Sequence, residues 1–516
     1  MKMSALAMVA AAMLAMTPAA GAAELKVGLA ASTTSMDPQF YVGGPNSAMA
    51  RNIFDGLVNQ DDKQQVQPAL ALSWTVIDDR SWEFKLRPGV KFHDGSDFTA
   101  DDVIASIRRV ALASQNSPSS FAAYVSDIAE VTAVDPLTVR ITTKVPTPLL
   151  PNNLSRIAMM PAELADTPTP ELNAGRGVIG TGPFKFASWA PDDNVVLERF
   201  DGYWGDKAAW DKVTFRVFKN SSARVAAILS GDVDLIESIP TADARNLAAS
   251  DKLTVVSVPG NRIMYLHMDQ GRDVSPFAAG PDGKNPLRKV AVRQAMSLAI
   301  NRQALVDRLM DGQGLPAGQL VPEGYFGHAP DLPAPAYDPA QAKKLLAEAG
   351  YPDGFALTFH ASNDRYPNDS KLAQAIGQML SRVGIKTEVV TMPGSVYFTR
   401  ASAQEFSLIM GGAAIETGEA SGVLGPLLET FGPKAGQGNR GRYSNPEFDK
   451  ALIEARATLD DGKRQTLLQT AMDIAMKDEG VIPIFFLANS WALKKGLTYQ
   501  GRSDGYTLPN YVRQGN

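Results

Sequence analysis

The chain has 516 residues, 45% of them hydrophobic and 20% charged, with a formal net charge of −5. That is an ordinary globular composition, long enough for more than one core, and the scattered charge leaves no basic block for nucleic acid or anionic lipid. No cysteine is present, which excludes disulfides, thiolate catalysis and cysteine-held metals together.

Met1 and Lys2 precede an apolar run over 3–16, and Ala20 and Ala22 fit a small-residue cleavage pattern. This predicts a signal peptide over 1–23, with the exported chain beginning at Ala23 or Glu24. The alternative is an uncleaved anchor, but the apolar core is shorter than the roughly 20 residues that span a bilayer. No cysteine offers a lipid attachment point, and no later segment is apolar for long enough to cross a membrane. The expected location is the periplasm.

Residues 25–31 read as a strand, followed by the polar loop Ser32-Thr33-Thr34-Ser35 and Asp37-Pro38. Trp82, Phe84 and Leu86 alternate with charged residues, the period of a half-buried strand. Arg87-Pro88-Gly89 should turn it into a second strand through Val90 and Phe92. Thr99 with Asp102 predicts a capped helix carrying Val103, Ile104 and Ile107. Residues 46–169 thus read as an α+β insert of their own.

Gly180-Thr181-Gly182-Pro183 marks a tight turn back into strands at 212–218 and 233–236, with a helix over 222–229 between them. A strand over 253–258 should end at Pro259-Gly260, another should start at Arg262, and the chain should cross there between two lobes. Asp338-Pro339 caps a helix ending at Gly350. Strands at 356–360, 385–390 and 406–410 alternate with helices capped by Asp369 and spanning 395–403. That β-α-β-α-β order argues for a parallel, doubly wound sheet. Asn445-Pro446 opens a further helix, and 482–487 is a late apolar strand.

Ligands of such sheets bind beyond the carboxyl ends of the strands. That rule selects the loop 361–368, with Arg365 and Tyr366, and the loop 411–419, with Glu416, Thr417 and Glu419. Enzyme signatures are missing: there is no G-x-S-x-G, H-E-x-x-H or P-loop. The four histidines are far apart, and His93, beside Asp94-Gly95, is better explained by a turn hydrogen bond than by catalysis. Glu416 and Glu419 keep a secreted hydrolase open as a distant alternative. No metal site and no cofactor are expected.

Leu70-Ala71-Leu72-Ser73-Trp74, the run Phe84-Lys85-Leu86-Arg87-Pro88-Gly89-Val90-Lys91-Phe92-His93-Asp94-Gly95 and Phe98-Thr99-Ala100-Asp101-Asp102-Val103 closely resemble the signature of the family 5 extracellular solute-binding proteins of ABC importers. The likeness continues through Gly180-Thr181-Gly182-Pro183-Phe184, Tyr203-Trp204-Gly205, Leu229-Ser230-Gly231-Asp232-Val233-Asp234 and Val292-Arg293-Gln294-Ala295. The resemblance implies an α/β, bilobed periplasmic-binding-protein clam-shell of type II with an extra N-terminal α+β domain. The expected division is 24–45, 170–260 and 492–516 for lobe one, 46–169 for the extra domain and 261–491 for lobe two. Ligand would bind between the lobes and bias them toward closure, which membrane permease subunits recognise. The protein is expected to act as a monomer and to catalyse nothing.

In peptide-binding members, a lobe-two loop reads Gly-Trp-x-x-Asp-Tyr-x-Asp-Pro, and its first Asp holds the ligand's α-ammonium. Here Glu416 stands at that position and Glu419 at the second, and the Trp is missing. The resemblance also implies that Ser32, Thr33 and Thr34 lie along the ligand backbone. Arg365 is the first candidate for a ligand carboxylate, with Arg262 and Arg440 behind it, and Tyr366 and Tyr397 could flank the ligand. The leading ligand is a short peptide or peptide-like solute such as glutathione. A nickel chelate, an opine or an oligosaccharide is the alternative within the family, and a sensor subunit would use the same closed lobes.

Overall fold

The computed structural model describes residues 23–515 except 116 and 118, so the expected signal peptide lies outside the described residues. One mixed sheet of twelve strands runs through both lobes. In lobe one, Glu24–Leu29 lies parallel to Lys212–Val217 on one side and to Leu235–Glu237 on the other. In lobe two, Ala356–Ser362 lies parallel to Lys386–Met392 and to Leu408–Ala414. The expected βαβ units are therefore present, but each parallel group is small. Between them stand two long antiparallel strands, Leu253–Met268 and Ile482–Lys494.

These two hinge strands correct the sequence reading of 259–262. Leu253–Met268 does not stop at Pro259-Gly260; it passes through as one sixteen-residue strand with its register shifted between Pro259 and Ile263. Its first half faces lobe one, while Arg262 to Met268 pair with Leu408–Ala414 of lobe two. A Cβ on residue 260 would sit 2.5 Å from the Leu487 carbonyl oxygen, so only glycine allows this close passage.

The extra domain is an antiparallel four-stranded sheet in the order Ala71–Asp78, Ser81–Leu86, Thr138–Thr143, Ile128–Asp135. Helix Ala100–Ala113 covers one face, where Val103, Ile107 and Val110 pack with Phe84, Leu86, Val139 and Ile141. Fully burying each such side chain contributes about 1.5–3 kcal/mol. The expected cap is present, with the Asp102 carboxylate accepting from the Thr99 backbone N–H at 2.7 Å. Val90 to Phe92 form no strand; only an isolated bridge joins Lys91 to Asp97.

His93 does not serve its own turn. Its Nε2 lies 3.0 Å from the Gly182 carbonyl, and its Nδ1 accepts from the Gly180 N–H at 3.3 Å, tying the extra domain to the turn that re-enters lobe one. A second tie is the buried pair in which both terminal nitrogens of Arg109 donate to Asp37 at 2.9 and 2.8 Å. That pair fixes the loop following the first strand.

Candidate functional site

A cavity of about 520 Å³ opens between the lobes, within the range of small-molecule sites. Its floor is the hinge, with Asn261 and Arg262 on one strand and residues 487–491 on the other. Lobe one supplies Arg224, Glu237 and Thr241, and lobe two supplies Met310, Gln313 and Pro367. Across its rim, Asn368 Nδ2 donates to Thr241 Oγ1 at 3.0 Å.

Asn368, at φ 56°, precedes helix Asp369–Arg382 as its N-cap residue, displacing Asp369 from that expected role. The left-handed conformation, which asparagine tolerates well, turns the chain sharply after Ser362. Asp369 then braces the loop from below: one of its carboxylate oxygens accepts from Ser362 Oγ, Arg365 N–H and Tyr366 N–H at 2.9–3.2 Å.

Of the expected site residues, Arg262 alone lines the cavity directly. The strand register sets Arg262 opposite Ala414, and Ile415 N–H donates to the Asn261 carbonyl at 3.0 Å, which places Glu416 just beyond the same ladder. Burial pulls the Arg262 guanidinium below its usual value, with Tyr366 and Glu416 opposing that shift and Arg365 adding to it. Arg365 is exposed, its guanidinium 5.2 Å from the centre of the Tyr366 ring. Among the described residues neither Arg262 nor Arg365 has an ion-pair partner.

Glu416 does have one. Arg156 of the extra domain, its side chain only 3% exposed, holds a Glu416 oxygen at 3.1 Å and donates to Tyr506 OH at 3.0 Å. The Glu416 side chain remains 39% exposed. The extra domain grips the same loop elsewhere: Asn152 Nδ2 donates to the Thr417 carbonyl at 2.8 Å, and Gln64 Nε2 to the Glu416 carbonyl at 3.2 Å. Gln64 is itself a hub, its side-chain Oε1 accepting from Asn261 Nδ2 at 2.9 Å and from Tyr325 OH at 2.5 Å.

Several expectations need correction. Tyr397 is fully buried, its hydroxyl shared between the His360 and Met410 carbonyls, so it braces the lobe-two core and presents nothing to a ligand. Glu419 is also buried, bonded to Ser421 Oγ and paired with Arg464. Burial raises its pKa, against the pull of Arg464. With Glu416 held by Arg156 and Glu419 by Arg464, the two carboxylates lack the free, facing arrangement a hydrolase would need. Thr33 is buried with its hydroxyl on the Pro45 carbonyl, whereas Ser32 is half-buried and Thr34 exposed at the end of the first strand. Arg440 lies over the Phe398 ring and reaches Ser402 Oγ at 3.3 Å, and it is not part of the cavity lining. Tyr366 donates to the Gly412 carbonyl and accepts from its N–H, locking one candidate loop to the other.

Sequence reasoning missed Arg224, Glu237, Asn261 and Asn489 in the lining. Arg224 spends its guanidinium on the Phe218, Glu237 and Ser238 carbonyls. Glu237 accepts from Ala30 N–H and Thr507 Oγ at 3.0 and 2.6 Å, and burial raises its pKa. The polar pair Asn489-Ser490 inside an otherwise apolar strand was the one available signal.

Comparison with known proteins gives the same picture. The profile of the bacterial extracellular solute-binding proteins, family 5, matches residues 65–434. The glutathione-binding protein GsiB of Pectobacterium atrosepticum is 32% identical over 485 residues, covering 92% of this chain and 90% of its own. Among solved structures, the periplasmic murein tripeptide binding protein MppA in its unliganded open form aligns with a TM-score of 0.81 at 25% identity, over 96% of this chain and 98% of that one. The periplasmic binding protein DppA of Helicobacter pylori, in complex with the peptide STSA, aligns with a TM-score of 0.74 at 25% identity, over the same shares of the two chains. The chain therefore belongs to the bacterial extracellular solute-binding proteins of family 5, which capture solutes for ABC importers.

Proposed function

We propose that this protein works in the periplasm, after removal of a signal peptide over 1–23, and captures a short peptide or peptide-like solute such as glutathione for an ABC permease. The observation that carries the reading is the cavity between the lobes, whose floor carries Arg262 without an ion-pair partner among the described residues; the partly exposed Glu416 stands just beyond the same strand ladder, and the exposed Arg365 lies two residues before Pro367 of the lining. A peptide offers the complementary groups: an ammonium for the open face of Glu416, and a carboxylate for Arg365. Ser32 and Thr34, in the loop that follows the first strand, are the polar groups this reading assigns to the ligand backbone. The relative GsiB, a glutathione-binding protein by name, supports a ligand of this kind.

In this reading the protein is a monomer that leaves its ligand chemically unchanged. Lobe one comprises 24–45, 170–260 and 492–516, lobe two 261–491, and the extra domain 46–169. The higher TM-score to the unliganded open form than to the peptide complex supports an arrangement still able to close. Mass spectrometry of whatever is released on denaturing the protein purified from periplasm tests the proposal. A set of short-peptide masses, or the mass of glutathione, is the expected result; a single non-peptide mass overturns the ligand.

A further inference from the structure

A second cavity, of about 380 Å³, opens between the extra domain and lobe two. Trp74, Val76 and Trp82 of the four-stranded sheet and Pro151 line one side, and Phe326 and Leu459 line the other. It is distinct from the cavity between the lobes, with which it shares no lining residue. The hydrogen bond from Asn261, which lines the first, to Gln64, which lines the second, joins their walls.

The lining narrows what fits. Two of its hydrogen-bond donors, Trp82 Nε1 and Arg464 Nε, have no partner among the described residues, although both residues are more than nine-tenths buried. An indole N–H and a guanidinium N–H only donate, and a buried donor left without an acceptor is costly. The groups that meet them must therefore be acceptors. The charges, in contrast, are already engaged. Glu419, Asp461 and Arg464 are the ionisable side chains of the lining, and Arg464 pairs with both carboxylates, reaching Asp461 at 2.8 Å. The Phe326 ring, its centre 4.1 Å from the guanidinium, holds that arginine in place. The three sum to a formal −1, which disfavours a carboxylate or phosphate, and the arginine occupies the carboxylates an ammonium would seek. What remains is hydrocarbon, including the Trp74 indole, stacked on Phe84 with ring centres 6.4 Å apart.

A saturated ring with apolar C–H faces and oxygens around its rim meets all three conditions. We propose that this cavity is a second binding site, for an uncharged sugar. The ring packs on Trp74, and its hydroxyl oxygens accept from Trp82 Nε1 and Arg464 Nε. The proposal is independent of the peptide reading of the first cavity.

Titration calorimetry on the full exported chain tests it with glucose, N-acetylglucosamine, maltotriose, glucosamine and glucuronate. The last two keep the ring and add an ammonium or a carboxylate. At least one neutral sugar is expected to bind at least about tenfold more tightly than either charged ring. Preference for maltotriose would point to a longer glycan, and preference for a single ring to a free sugar. Trp82→Phe keeps an aromatic ring and deletes the donor, and is expected to weaken that binding about two- to tenfold. Trp74→Leu, at a half-buried position, should weaken it in the same direction, whereas Arg262→Gln in the first cavity should leave it unchanged. No saturable binding of any neutral sugar overturns the proposal, as does equal or tighter binding of a charged ring. Full affinity in both tryptophan variants, or loss of the sugar in Arg262→Gln, overturns it as well.

Discussion

Arg156 and Glu416 are 260 positions apart in sequence and 3.1 Å apart in space, one on the extra domain and the other on the loop that follows the lobe-two strand Leu408–Ala414. The arginine is buried and the glutamate is partly open. The pair therefore neutralises a costly interior charge and at the same time fixes where the partly exposed Glu416 carboxylate stands.

Glu416→Ala is expected to lower stability by about 1–2 kcal/mol, because it leaves a buried guanidinium with only the uncharged Tyr506 hydroxyl and the Tyr124 ring beside it among the described residues; the exposure of Glu416 keeps the loss below that of a fully buried pair. Adding Arg156→Met to that variant should restore part of the loss. Urea denaturation of the two single variants and the double variant measures the coupling, and strictly additive effects would show that the pair contributes nothing.

Glu416→Gln retains a hydrogen-bond acceptor for Arg156 while removing the charge that would meet an ammonium. Peptide binding by this variant is expected to weaken by more than about tenfold with little change in melting temperature. N-acetylation of the peptide should produce the same loss in the unmodified protein. Calorimetry giving equal affinities for free and acetylated peptides would remove Glu416 as an ammonium partner.

Thr241→Val deletes one hydrogen bond across the rim, the one accepted from Asn368 Nδ2 at 3.0 Å. A single neutral hydrogen bond contributes about 0.5–1.5 kcal/mol. Small-angle scattering of the ligand-free variant should show a wider distribution of lobe separations, and ligand affinity should fall by about two- to tenfold. An unchanged scattering curve together with unchanged affinity would mean that this contact does not restrain the lobes.

His93 gives a pH signature. Burial pushes its pKa down from 6.5 to about 4, so the folded protein holds it neutral where the unfolded chain would protonate it. Its contribution is complete above pH 6.5 and is lost as pH falls toward 4, about 2 kcal/mol of it between pH 7 and pH 5. His93→Gln should therefore show a shallower fall in melting temperature over that interval than the unmodified protein. Parallel curves would mean that the imidazole titrates normally in the fold.

The extent to which all this could be read from sequence differs by element. The alternation at Trp82, Phe84 and Leu86 gave its strand because that sheet buries one face only, and Asp338-Pro339 gave its helix because the cap is local, with Asp338 accepting from Gln341 N–H. Pro259-Gly260 misled, since a proline and a glycine that read as a stop here let a strand pass tightly beside its neighbour. In the candidate site, the two loops were found from the βαβ pattern, but their side chains were not sorted. Glu419 and Tyr397 look as available as Glu416 and Tyr366 in the string of residues. Their partners Arg464 and the Met410 carbonyl, which take them out of reach, are set by tertiary packing alone.

The unbroken hinge strand has a mechanical consequence. Leu253–Met268 and Ile482–Lys494 form a hydrogen-bonded ribbon anchored in both lobes, and its regular pairing is interrupted chiefly around Gly260. A joint of loose loops would let the halves wander in many directions, whereas a ribbon of this kind flexes about one axis and resists shear. Any change in the angle between the two halves must bend this ribbon, and the place where its pairing lapses, beside Gly260, is where the least hydrogen bonding opposes the bend.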